Sequence, residues 1–112
     1  MIEKCQLKKD IEVFPGGDMQ ELGERGVNLS GGQKIRISLA RAVYTNRDIV
    51  LMDDPISALD RGVLKSIFQD LLLQELKHKT RIMATHSVEY LHLFDKIILL
   101  QQGKIIDIGT YE

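Results

Sequence analysis

A chain of 112 residues, 44% hydrophobic and 28% charged, has room for one modest core but not for two full domains, and its balance excludes disorder, a collagenous repeat or a coiled coil. The formal net charge is -1, Lys and Arg are interleaved with Asp and Glu, and aromatics make up 5%. There is thus neither a basic stripe nor a stacking platform, which argues against nucleic acid, and none is expected as a partner.

The longest apolar runs, IVLM and IILL, fall far short of the ~20 residues that cross a bilayer, so any membrane role must come from another segment. A lone Cys5 permits no internal disulfide, fits a reducing compartment and reads as an inert structural thiol.

In chain order, the first 27 residues read as irregular chain with at most short helices, because FPGGDMQELGERG is broken by Pro15 and several glycines. From Ser30 the residues Ile35, Leu39, Ala42 and Val43 recur at helical spacing while Lys34 and Arg41 fall elsewhere, which predicts an amphipathic helix to about Tyr44. DIVLMDDP is a short apolar run closed by two aspartates and a proline, the pattern of a strand buried on both faces of a parallel sheet.

Asp60 is placed as the N-cap of a following helix, RGVLKSIFQDLL. TRIMAT predicts a second buried strand, SVEYLHLF a short helix, and KIILLQQGKIIDIG a hairpin turning at QQG. The order is that of an α/β fold with a mainly parallel sheet and a C-terminal β-hairpin.

Ligands of such sheets bind beyond the carboxyl ends of the strands. Asp53 and Asp54 end one strand and His86 follows the next, so these three are expected to meet on one edge. A helix opening at Ser30, with free backbone N–H groups, is a separate anion site. Taken alone, LSGGQ is equally well read as a capped helix start. His78 and His92 lack ligand partners at useful spacing and carry no expected role.

Four stretches in order and spacing change the weight of each. LSGGQ at Leu29 to Gln33, IVLMDD at Ile49 to Asp54, SALD at Ser57 to Asp60 and ATHS around His86 resemble the signature, Walker B, D-loop and H-loop of an ABC-type ATP-binding cassette. GERGVNLSGGQ and DKIILLQQGKIIDIGTYE also look like cassette sequence, so the resemblance covers essentially the whole chain. DDP in place of aspartate-glutamate, together with PGGD, resembles the first cassette of the multidrug-resistance-associated (C) subfamily of transporters.

The resemblance implies a partial P-loop NTPase-like cassette, with residues 1–46 as its signature-containing helical part and 47–112 as its Walker B to H-loop part. It implies ATP and Mg2+ as cofactors. Leu29, Ser30, Gly31, Gly32 and Gln33 would bind the γ-phosphate of ATP held by a second cassette, and Ser57 and Asp60 would be D-loop residues at the interface between cassettes. Asp53 would hold Mg2+, His86 would contact the γ-phosphate, and Asp54 would stand where the family's catalytic glutamate orients water. Aspartate is one methylene shorter, so a slow or degenerate site is expected there.

A Walker A motif needs Gly, four residues, Gly-Lys and Ser or Thr, whereas the only Gly-Lys pair is Gly103-Lys104, followed by Ile105. The chain is therefore expected to be the carboxyl-terminal part of a cassette, inactive in isolation, whose P-loop and transmembrane domains lie elsewhere. The expected setting is the cytoplasmic face of a membrane, within an integral transporter. The competing expectations are a soluble ABC ATPase that does not transport and a truncated, non-catalytic module that docks onto a complete cassette.

Overall fold

The computed structural model describes residues 1–23 and 27–112; part of the GERG stretch lies outside the described residues. Before the signature, the chain forms α1 (Lys8–Val13) and a 3-10 turn at Gly17–Met19. The expectation of short helices is met, but this segment is more than a periphery. Cys5 and Leu7 are buried in the same cluster as Leu39, Val50, Met52, Ile67 and Leu71.

Helix α2 spans Gly31–Tyr44. A reciprocal cap starts it: Gln33 N–H donates to Ser30 Oγ at 3.2 Å, and Ser30 N–H donates to Gln33 Oε1 at 2.9 Å. Two of the four N–H groups that every helix start leaves without partners are affected by such a box. Its buried face carries Leu39 and Ala40, with Ile35, Ile37, Ala42 and Val43 packed against the cluster.

Strand β1 (Ile49–Asp53) pairs in parallel with β2 (Thr80–Ala84), in a register that sets Ile49 opposite Thr80 and Asp53 opposite Ala84. Between them, Asp60 caps α3 (Arg61–Ser66) by accepting from Val63 N–H at 3.0 Å, and the chain continues as a π-helical stretch over Ile67–Glu75. Phe68, Leu71 and Leu72 of that stretch complete the core over β1. The wider π turns were not expected from the sequence.

Two expectations are corrected. Among the described residues β1 is covered on one face only: Val50 and Met52 are buried, while Leu51 is 73% exposed. The helices supply apolar side chains to one side of the strand pair, and the other side, with Ile49, Leu51 and Ile82, stays open. SVEYLHLF is not a helix but holds a single 3-10 turn at Leu91–Leu93. Tertiary contacts fix both its ends, since Tyr90 stacks on Phe68 at 4.4 Å between centroids and Phe94 meets the same ring edge-on at 6.2 Å.

The expected hairpin is present as β3 (Ile97–Gln101) and β4 (Lys104–Gly109), antiparallel, with a register shift between Leu99 and Leu100. Gln102 and Gly103 both adopt positive φ, 48° and 74°, the requirement of a two-residue hairpin turn of matching twist. The parallel pair and the hairpin are separate two-stranded sheets.

Candidate functional site

The carboxyl end of β1 brings two of the three expected polar residues together. Asp54 N–H donates to the Ala84 carbonyl at 2.8 Å, extending the parallel ladder by one residue. Its φ of 44° then turns the chain sharply, a left-handed conformation that aspartate tolerates better than most residues. The turn aims the Asp54 carboxylate at the loop after β2, where His86 Nδ1 lies 3.6 Å from Oδ2.

That separation is a charge contact when the imidazole is protonated, and too long for a hydrogen bond. Thr85 Oγ1 accepts from Ser87 N–H at 3.1 Å, which holds the turn carrying His86. The His86 ring is 81% exposed, open to a ligand. Among the described residues the buried Asp54 Oδ1 has no hydrogen-bond partner.

Asp53 ends β1 beside Asp54 but falls on the open face with Ile49 and Leu51. No group of three or more His, Cys, Asp or Glu is gathered in a metal-binding cluster among the described residues.

The signature residues form a second feature. Ser30, Gly31 and Gly32 line a groove of about 370 Å³ with Arg36 of α2 and with Ala58, Leu59, Asp60 and Val63. Gly32 packs tightly against the loop: a Cβ there would stand 3.1 Å from the Ala58 carbonyl oxygen and 3.8 Å from Leu59 Cδ2, so the loop would have to give by a few tenths of an ångström to admit one. At Gly31 a Cβ would meet only Ala58 Cβ, at 3.6 Å, so the side facing the groove is open. Leu29 is half-buried and Gln33 faces away into the cap.

The two features are linked through the 57–60 loop. Ser57 Oγ donates to the Asp54 carbonyl at 3.4 Å, and Asp60 caps α3, so one short loop touches the β1 end and the signature groove. Sequence reasoning missed Arg36 and Asp10. Arg36 was readable in part, one turn after Gly32 on the same helix face; Asp10 had no local signal.

Residues 3–57 match the ABC transporter family. The chain is 50% identical over 114 residues to "ABC transporter C family member 8" of Dictyostelium discoideum, covering 99% of this chain and 7% of that protein. It is 54% identical over 111 residues to "Multidrug resistance protein" of Leishmania tarentolae, with 99% and 7% covered, and 52% identical over 113 residues to "ATP-binding cassette sub-family C member 2" of Homo sapiens, again with 99% and 7% covered. The chain thus spans about 7% of the length of these curated relatives. Among the described residues no helix is long and apolar enough to cross a membrane.

Proposed function

The chain belongs to the ABC transporter family, and from that membership we propose that it forms the signature-to-H-loop part of an ATP-binding cassette in a C-subfamily membrane transporter. ABC cassettes bind ATP, generally with Mg2+. On this reading residues 1–46 present the signature and residues 47–112 carry the β1 end and its loops, while the P-loop, a second cassette and the transmembrane domains belong to the rest of the transporter, at the cytoplasmic face.

One observation carries the proposal: the groove where the capped start of α2 meets the 57–60 loop. Ser30 N–H and Gln33 N–H are taken up inside the cap. Among the described residues Gly31 and Gly32 N–H have no backbone partner outside the helix, and at a helix N-terminus such groups hold phosphate. Ser30 Oγ, accepting from Gln33, keeps its own O–H to donate. On this reading the phosphate is that of a nucleotide held mainly by the partner cassette.

The β1 end then serves this cassette's own nucleotide. Asp53 would hold Mg2+, which would supply charge neutralisation on the phosphates. Asp54 would orient water from a carboxylate with one oxygen unpartnered, and His86, exposed beside it, would donate to the terminal phosphate. Ser57 and Asp60 would sit at the interface between cassettes.

The test is Gly32→Leu in the complete transporter. The added side chain must displace the Ala58 carbonyl, and ATP hydrolysis at the site completed by this groove is expected to be lost. Normal hydrolysis there would contradict the reading.

A further inference from the structure

Two side chains of α2 converge on a carboxylate that lies outside the signature and outside the groove. Asp10, in α1, accepts from Gln33 Nε2 at 2.8 Å through Oδ1. Its Oδ2 takes Arg36 Nη1 at 2.5 Å, and Arg36 Nη2 lies 3.5 Å from Oδ1. The two charged side chains are only 13% and 14% exposed, so this pair is shielded from water in a way that surface pairs are not.

Each donor also reaches signature backbone. Gln33 Oε1 accepts from Ser30 N–H at 2.9 Å, and Arg36 Nε donates to the Gly32 carbonyl at 3.4 Å while Nη1 also reaches the Gln6 carbonyl. A carboxamide has one accepting and one donating end. Because a carboxylate can only accept, Asp10 takes the NH2 end of Gln33 and leaves the oxygen for Ser30 N–H. The same carboxylate ties down Arg36, the one cation lining the groove among the described residues.

We propose that Asp10 is the positioning residue of the signature groove: through Gln33 and Arg36 it fixes the Ser30–Gly32 backbone so that the Gly31 and Gly32 N–H groups are held in place for a nucleotide phosphate. The inference rests on the nucleotide reading of the groove. Asp10 does not line the groove and touches no phosphate itself. The described groove residues offer backbone N–H groups and one guanidinium, contacts for a phosphate alone, so loss of registration affects turnover more than nucleotide affinity.

The experiment is steady-state and single-turnover ATP hydrolysis by the complete transporter carrying Asp10→Ala, Gln33→Ala, both together, Asp10→Asn, and Gly32→Leu as control. Asp10→Ala is expected to lower kcat about tenfold with KM for ATP little changed, the effect of a small misplacement. The double variant falls by less than the product of the two single effects, since Asp10 and Gln33 share one contact while Arg36 forms a second arm. Asp10→Asn, which keeps an acceptor for Gln33 and the side-chain volume, restores most of kcat.

An unchanged kcat in Asp10→Ala, a shift in KM alone, or independent multiplying effects of the two single variants would overturn the proposal. If Gly32→Leu abolishes hydrolysis while Asp10→Ala leaves kcat intact, only the role of Asp10 fails. If Gly32→Leu also hydrolyses normally, the nucleotide reading of the groove fails first.

Discussion

His86 Nδ1 stands 3.6 Å from Asp54 Oδ2 across the carboxyl ends of two parallel strands, and the other oxygen of that carboxylate is buried without a partner. The contact exists because Asp54 leaves β1 at a positive φ of 44° while its N–H still donates to Ala84. A residue that ends a strand and turns within one step delivers its side chain to the neighbouring strand's loop, not along its own.

Glutamate at position 54 would extend the carboxylate by one methylene while leaving the strand pair intact. In the complete transporter, Asp54→Glu is expected to raise single-turnover hydrolysis at this cassette's own site by up to ~100-fold, the scale on which a misplaced group costs rate. The left-handed backbone favours aspartate, so a stability loss of about 1 kcal/mol should accompany the gain. Unchanged turnover would remove the short-reach account of this site.

His86→Ala should act in the opposite direction. The imidazole is exposed and makes no hydrogen bond among the described residues, so its removal leaves their packing untouched. Thermal stability should stay within about 0.5 kcal/mol, as for surface substitutions. Turnover at the same site should fall by roughly 100-fold, the lower range for a positioned proton-transfer or charge-stabilising group. A variant with full turnover would show that His86 merely faces solvent.

Gly31 separates stability from function. A methyl there meets only Ala58 Cβ, at ordinary contact distance, and alanine favours helix by about 0.5–1 kcal/mol over glycine. Gly31→Ala should therefore hold or slightly raise Tm, yet lower hydrolysis at the opposite site because the methyl stands where a phosphate approaches. If turnover and Tm both hold, the groove is not a phosphate site.

Asp60 is distinguished by its two roles. As N-cap it accepts from Val63 N–H at 3.0 Å, and Asp60→Ala should cost about 1 kcal/mol by loss of the cap. Asp60→Asn retains the acceptor and should restore Tm. Any turnover lost in Asp60→Asn then reports the charge at the interface between cassettes, and none lost would confine Asp60 to capping.

What could be read from the sequence was what local chemistry encodes. Ser30 and Gln33 at cap spacing start α2, the runs closing on Asp53 and on Ala84 form the parallel pair, and Gln102-Gly103 turns the hairpin, each within a few residues of its own signal. Contacts across long separations were not readable. Asp10 meets Gln33 and Arg36 from 23 and 26 residues away, and stacking on Phe68 holds residues 90–94 out of a regular helix despite their apolar spacing. The four motifs carried the family because their order and spacing lie in the sequence itself and need no contact to be read.

Cys5 gives a pH signature. Its side chain is fully buried, and burial pushes the thiol up from 9.0 to about 11. In the unfolded chain the thiol ionises near its ordinary value, while in the folded protein it stays protonated until about two units higher. The folded state is therefore favoured fully below pH 9, and this stabilisation is lost as pH rises through 9 toward 11, at up to about 1.4 kcal/mol per pH unit. Denaturation midpoints of the complete protein should fall over that window and fall less in Cys5→Ala, which cannot ionise. At pH 8 the native thiol should resist iodoacetamide and react once the protein is unfolded in urea. Rapid labelling of the native protein would mean that Cys5 is reached by solvent and that the N-terminal turn opens easily from the core.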